Sequence, residues 1–458
     1  MARYFGTNGV RGKFDELTPD LALRLSMAIG AYFNSGAKAG KNKARVIVAR
    51  DCRLTGDILR SAVAAGLASV GCDVIDLGIT SSPTAEFMVK KLKADGCIII
   101  TASHNPPEWN ALKVVDGNGI ALSHERGEGI EKLLDKPKLA AYDKVGRITP
   151  YETATTSHIE EIADHVDAGR IIKRKPKIIV DCGNGTAALI APRLLKELGC
   201  EILSLNSHMD GRFPGRPSEP SEANVKELIS LVKSSNADAG IAWDCDGDRV
   251  IFVDEKGNYI IGDKVYALSI LWKAAGMKER GAKPKGDVVT TVATSKAVED
   301  VAAKLGLKTK YTAIGAPYLS EEVAKGGAFM GGEEVGGVIW PESSLAKDGF
   351  LTAARLAEAL CEKPLSAWLR EVPKYFNVKM KLGADAKAKK EIVSRVLAHA
   401  KNKKLAYITV DGVRINFKDS WVIVRASGTE DYVRIFAEAK SEAEAKKLAA
   451  EYERIAKG

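Results

Sequence analysis

The chain has 458 residues, about three times the size of a usual domain, so several hydrophobic cores are expected rather than one. With 45% hydrophobic and 28% charged residues it falls outside the disordered, collagen-like and mucin-like classes. A formal net charge of +9 permits an anionic partner and leaves nucleic acid, acidic membrane surfaces and phosphorylated metabolites open.

The sequence opens MARYFGTNGVRG, with no basic region leading into an apolar one, and it has no run of 18 apolar residues. Neither a secretory leader nor a membrane span is expected. The cysteines (Cys52, Cys72, Cys97, Cys182, Cys200, Cys245 and Cys361) form no C-x-x-C and lie mostly in or beside apolar runs, which fits a reducing cytoplasm.

One plan then recurs three times: a short apolar run, a polar or glycine break, an amphipathic helix ending near Gly, and a second strand-like run. The first copy runs from RVIVARD through ILRSAVAAGLASVG to CDVIDLG, the second from KIIVDCGNG through TAALIAPRLLKELG to CEILSLN. The third runs from DVVTTVAT through SKAVEDVAAKLG to LKTKYTAIG. Ala and Leu at 3 and 4 spacing between β-branched runs predict βαβ units with largely parallel, buried sheets. After EKPLSAWLREVPKYF the pattern changes to the strand candidates NVKMKLG, AYITVDGVRINF, SWVIVRAS and YVRIFAEAK, with helices beginning near Ala386 and over SEAEAKKLAAEYERIAKG. The basic stretch Lys387 to Lys404 reads as the solvated face of the first of these helices. The expected fold class is α/β: three similar mixed-sheet α/β domains with repeated βαβ units (1–150, 151–250 and 251–367), then an α+β domain (368–458). The segment ETATTSHIEEIADHVD is expected to be a helix leading into the second.

Several segments carry polar chemistry where buried strands should end. GCIIIT is followed by Ala102, Ser103, His104, Asn105 and two prolines, at the kind of strand end where parallel sheets bind ligands. Side chains of adjacent Ser and His diverge, and G-x-S-x-G is absent, so a hydrolase pair is not expected. DCDGDR places Asp244, Asp246 and Asp248 in one turn, where three carboxylates repel unless a cation neutralises them. An EF-hand is excluded because Arg249 stands at the sixth position, which needs Gly; all-oxygen ligation by few residues suits Mg²⁺. Gly183-Asn184-Gly185-Thr186-Ala187-Ala188 formally meets a dinucleotide fingerprint, but the next strand ends LSLN without an acid, so close helix packing is the better reading. Glu333 and Glu334 sit in a glycine-rich loop, where Glu can accept hydrogen bonds from sugar hydroxyls. The segment from Arg425 through Ser427, Gly428 and Thr429 to Arg434 could cradle a phosphate.

Together FGTNGVRG, TASHNPPEWNALK, DGRFPGRPSEP, DCDGDR, TAIGAPY, GEEVGG and RASGTED resemble the α-D-phosphohexomutase family, in order and spacing, over essentially the whole chain. The resemblance implies one loop from each of four domains around a central cleft. It implies a phosphoserine at Ser103 and one Mg²⁺ held by Asp244, Asp246, Asp248 and a phosphoserine oxygen. Arg11 and Arg249 would steady phosphoryl oxygens, Lys113 would lie near the transferred group, and Thr312, Gly315 and Glu333 would meet the sugar. Arg425, Ser427, Gly428, Thr429 and Arg434 would hold the other phosphate. Three positions depart from the family pattern: Val335, Gly337 where many members have His, and Asp431 in place of Pro. With no His at 337, a base role falls to Lys113, provided its pKa is depressed, or to His104.

The implied reaction interconverts hexose or hexosamine 1- and 6-phosphates through a 1,6-bisphosphate, with glucosamine phosphate the expected substrate and a phosphomannomutase/phosphoglucomutase of mixed specificity the alternative. A Mg²⁺-dependent sugar phosphatase is the rival enzyme class. No nucleic-acid or membrane partner is expected, since aromatic residues are 6% of the chain and unclustered. The expected assembly is a monomer or homodimer in the cytoplasm.

Overall fold

The computed structural model describes residues 4–6, 9–36, 43–135, 137–427 and 431–458. They divide into two compact units, one of Met1–Val265 with Val335–Trp368 and one of Tyr266–Glu334 with Leu369–Gly458.

The first unit begins with a mixed seven-stranded sheet. Its centre is parallel: Arg45–Arg50 lies between Asp73–Ile79 and Gly96–Ile100. Trp109–Asp116 then runs antiparallel to Gly96–Ile100, and Gly9–Lys13 antiparallel to Trp109–Asp116. Successive side chains of a strand point to opposite faces, and both faces here are covered. Val46, Val48, Ile98 and Ile100 enter a core with helices Pro19–Gly36 and Gly56–Ser69. Ile47, Ala49, Cys97 and Ile99 enter the opposite core, with helix Ser82–Lys91. The continuous apolar runs in the sequence follow from this double burial, and each fully buried Ile or Val contributes roughly 1.5–3 kcal/mol. Helix Ser82–Lys91 starts where it does because the Ser81 hydroxyl accepts from the Thr84 amide at 3.2 Å and Pro83 occupies the first turn.

The second sheet places Lys177–Asp181 between Glu201–Leu205 and Ala239–Trp243, all parallel, and Val250–Asp254 returns antiparallel to Ala239–Trp243. Helix Ala154–Asp164 forms as expected, and its Ala154 packs into the core beneath helix Ser82–Lys91.

In the second unit, Asp287–Thr291 is flanked by Lys308–Thr312 and Ala328–Gly332, all parallel, with helix Lys296–Lys304 completing the third βαβ unit. The last sheet is antiparallel and covered on one face by helices Ala386–Asn402 and Glu442–Lys457. Buried Arg414 ties the two sheets together. It donates to the Val292 carbonyl at 2.7 Å and lies 4.2 Å from the Trp421 ring and 4.5 Å from the Tyr311 ring. One strand candidate is corrected: AYITVDGVRINF is two strands, Ala406–Ile408 and Val413–Asn416, paired as a hairpin whose turn includes Gly412 at φ 73°. Three α/β layers and a terminal α+β layer are therefore present as expected. Among the described residues no helix is long and apolar enough to cross a membrane.

Candidate active site

Ser103 follows the buried strand Gly96–Ile100, is itself buried, and has φ 50°. A non-glycine residue in the left-handed region is strained and persists only where its surroundings impose it. Here they do. The Ser103 amide donates to Thr101 Oγ1 at 3.0 Å, and its carbonyl accepts from Arg53 at 2.7 Å and from Ser218 Oγ at 3.0 Å. The Ser103 hydroxyl is thereby aimed at Asp244, to which it donates at 2.6 Å.

Buried Arg53 organises this loop. Its guanidinium also donates to the carbonyls of Asn105 (2.7 Å), Pro106 (2.5 Å) and Trp109 (2.9 Å), while Asp51 orients it at 3.0 Å. Asp51 in turn accepts from Thr101 Oγ1 at 2.7 Å. Ser218 serves the same end from the DGRFPGRPSEP segment, since its hydroxyl both donates to the Ser103 carbonyl and accepts from the Cys245 amide at 3.1 Å. Nothing in the local sequence around Arg53 or Ser218 signals these roles.

Asp244, Asp246 and Asp248 are all buried, and one oxygen from each lies within 4.8 Å of the others. Gly247, at φ 78°, gives the turn its shape, and the amides of Gly247 and Arg249 donate to Asp244 Oδ1, each at 3.2 Å. Two buried lysines flank the cluster: Lys113 Nζ is 2.6 Å from Asp246 Oδ2, and Lys347 Nζ is 3.0 Å from Asp248 Oδ2. Ser82 adds a hydroxyl to Asp246 at 2.7 Å. Burial opposes ionisation of Asp246, but Lys113 outweighs it and holds the carboxyl below its ordinary range. For Asp248 the same contest is won by Lys347. Asp244 has no ammonium partner, and burial followed by repulsion from Asp246 and Asp248 pushes it well up. Three carboxyl groups thus face two ammonium groups and the Arg249 guanidinium, 3.9 Å from Asp248, and Asp246 Oδ1 and Asp248 Oδ1 are buried with no hydrogen-bond partner. This oxygen-only set, with two unsatisfied lone-pair sites, fits a small hard divalent cation, whose charge would favour the ionised form of Asp244.

Around the cluster, Arg11 donates to Asn105 Oδ1 at 2.7 Å, and Arg249 reaches Glu219 at 3.2 Å. His104 Nδ1 lies 4.0 Å from the same Glu219 carboxylate. Burial, then Arg249 and Arg11, drive the His104 pKa down to about 3. For Lys113 the condition attached to a base role is not met. Burial pulls its pKa down, but Asp246 and Asp248 more than offset that, so it is raised and the amine is held as ammonium. The glycines at 183–185 serve packing: a side chain at Gly185 would meet the Cys245 carbonyl at 2.6 Å, and Thr186 Oγ1 donates to that carbonyl at 2.9 Å.

The second unit gathers the remaining candidates. Thr312 ends one strand beside Thr291, Gly332 ends another beside Thr290, and Glu333 follows it, so Thr312 and Glu333 share the carboxyl edge of a parallel sheet. Gly315, at φ 141°, precedes helix Ala316–Ala324. Arg425 pairs with Asp411 at 2.9 Å, and Asp411 also accepts from the Ile314 amide at 3.2 Å, linking the TAIGAPY loop to the last sheet. Arg434 lies opposite Arg425 in register, and the Ser427 amide donates to the Tyr432 carbonyl at 3.0 Å. Asp431 is 3.5 Å from Lys389. Gly428 and Thr429 lie outside the described residues.

Three α/β layers, an α+β layer and a serine bonded into a buried aspartate triad define a multidomain α/β enzyme. Family models of phosphoglucomutase/phosphomannomutase match nearly end to end: alpha/beta/alpha domain I over residues 2–141, domain II over 156–257, domain III over 262–376 and the C-terminal domain over 376–455. The chain belongs to the phosphoglucomutase/phosphomannomutase family. It is 41% identical to a phosphoglucomutase/phosphomannomutase of Thermococcus kodakarensis, over 97% of this chain and 96% of that one. It is 39% identical to a probable phosphoglucosamine mutase of Methanopyrus kandleri, over 99% and 97%. The crystal structure of a phosphoglucomutase/phosphomannomutase family protein from Burkholderia thailandensis superposes with a TM-score of 0.86 at 28% identity, covering 98% of this chain and 96% of that one.

Proposed function

We propose that the protein is a phosphohexomutase, an isomerase that moves a phosphoryl group between the 1- and 6-hydroxyls of a hexose or hexosamine phosphate, with glucosamine phosphate as its preferred substrate. The observation that carries this reading is Ser103 Oγ, buried and strained into line 2.6 Å from Asp244 within a cation-ready triad. The substrate choice draws support from the name of the Methanopyrus kandleri relative.

In the proposed reaction Ser103 carries a phosphoryl group. A sugar hydroxyl attacks its phosphorus, the phosphorus–Ser103 oxygen bond breaks, and the proton of the attacking hydroxyl ends on the departing Ser103 Oγ, restoring the hydroxyl that donates to Asp244. The product is a 1,6-bisphosphate, which turns within the site and returns its other phosphoryl group to Ser103. Magnesium held by Asp244, Asp246, Asp248 and a phosphoserine oxygen would withdraw charge from the phosphoryl oxygens. Lys113, protonated and buried, with Arg11 and Arg249, supplies further positive charge where the transition state spreads its negative charge. His104, neutral and next to Ser103, contributes a hydrogen-bonding imidazole rather than a charge. Arg53 and Asp51 keep the loop from relaxing, so no reorganisation is needed at the moment of transfer. In the second unit Thr312, Gly315 and Glu333 take the sugar, while Arg425, Ser427, Gly428, Thr429 and Arg434 take the phosphate that is not reacting.

The reading is tested by incubating purified protein with Mg²⁺ and the 1-phosphates of glucosamine, glucose and mannose, each with a catalytic amount of the bisphosphate. Isomerisation fastest on glucosamine 1-phosphate with negligible inorganic phosphate supports it. Continuous phosphate release without 6-phosphate would instead make the protein a phosphatase.

A further inference from the structure

The last sheet carries a row of cations that extends beyond the residues assigned above. In its antiparallel register Arg425 lies directly opposite Arg434, and Arg434 directly opposite Lys381 on strand Phe376–Gly383. Directly opposed residues share a face, with Cβ atoms roughly 4.5–5.5 Å apart. The face is the one away from the helices, because the alternate residues Val433 and Ile435 enter the helix-covered core. Tyr432, on the same face, gathers the row: its ring centre is 4.4 Å from Lys381 Nζ and 5.6 Å from Arg434 Cζ, and its hydroxyl accepts from Arg434 at 3.2 Å. Arg425, at the other end, is fixed by Asp411, which also holds the Ile314 amide.

Like charges set directly opposite one another destabilise a sheet. Asp411 offsets Arg425, while Lys381 and Arg434 meet at a single aromatic ring, a local concentration of positive charge that suits an anion with more than one charge. We infer that Lys381, presented by Tyr432, is a third cation of the phosphate cradle and helps select a phosphate dianion over a singly charged group. The inference rests on the phosphohexomutase reading for the identity of the ligand, but the cation row itself is a property of the sheet. Lys381 is exposed and its removal leaves the core intact.

The test compares wild type with Lys381→Met, which keeps the aliphatic stem over Tyr432, and with Lys387→Met on the solvated helix as control. Calorimetric binding of glucosamine 6-phosphate and of inorganic phosphate is measured alongside steady-state kinetics. The inference expects Lys381→Met to raise Kd for both ligands and KM for the sugar phosphate about tenfold, the loss of roughly one charge-assisted contact, with kcat within about twofold. Lys387→Met should match wild type. Binding and KM within twofold of wild type in Lys381→Met would overturn the inference. If wild type binds both ligands yet isomerises no hexose phosphate, the mutase reading fails, and weakened binding in Lys381→Met still upholds the cradle. If wild type binds neither ligand, both fail.

Discussion

Arg53 donates to the carbonyl of Ser103 at 2.7 Å, across fifty positions of sequence, and the strained φ of Ser103 depends on that contact. The same guanidinium holds three further carbonyls of the loop, so it acts as a template for the backbone rather than as a ligand for substrate.

Arg53→Met should therefore abolish turnover while leaving the triad's side chains unchanged. It leaves Asp51 as an uncompensated buried charge, a change worth roughly 3–5 kcal/mol of stability. Arg53→Lys keeps the charge but loses the planar fork, so kcat should fall at least about a hundredfold with a smaller drop in melting temperature. Steady-state kinetics and thermal melts of the two variants check this.

The triad predicts stabilisation by a divalent cation. Adding Mg²⁺ should raise the melting temperature of wild type with a saturable dependence on its concentration. Asp246→Asn should lose most of that rise, since it removes one of three anionic ligands. Mn²⁺ binding followed by electron paramagnetic resonance gives the same answer without reference to turnover, and chelation with EDTA should abolish isomerisation.

How much of this was legible in the sequence depends on distance along the chain. The triad could be read because its three carboxylates fall within five positions, where repulsion is forced whatever the fold. Ser103 could be read because an apolar run ending in Ser-His-Asn-Pro-Pro marks a strand end. Arg53, Ser82, Ser218 and Lys347 could not, because each acts on a segment remote in sequence, and although Ser218 stands in the DGRFPGRPSEP segment, nothing in that segment names the carbonyl it reaches. The hairpin within AYITVDGVRINF was missed because Thr409 and Val410 in its turn continue the β-branched run from Ile408 towards Val413 and only Asp411-Gly412 betrays the turn. The raised pKa of Lys113 was also invisible, since it depends on Asp246, which lies 133 positions away.

The His104 imidazole, with its pKa pushed down to about 3 by burial, Arg249 and Arg11, stays neutral across the working range. The pH–rate profile should then show no limb at the ordinary histidine value near 6.5 that belongs to His104. His104→Gln should change the rate without changing the profile's shape. A limb that vanishes in the variant would contradict this.

Glu86, half-buried on helix Ser82–Lys91, has its pKa raised to about 8, chiefly by burial, against the pull of Lys113 and with Asp248 adding to the rise. The folded state then holds a proton that the unfolded chain has released above the ordinary glutamate range. Stability should consequently fall as pH rises from about 4.5 to about 8, and level off beyond. Glu86→Gln removes this slope and should be more stable than wild type at pH 9, which urea unfolding at pH 5, 7 and 9 will show.

The central claim is that Ser103 carries the phosphoryl group that is transferred. Intact mass and peptide mapping of the purified protein, with the activity of Ser103→Ala measured beside it, test this most directly. One phosphoryl group on Ser103, and loss of isomerisation in Ser103→Ala, is the result the geometry predicts. An unmodified Ser103 together with full activity of Ser103→Ala would contradict it.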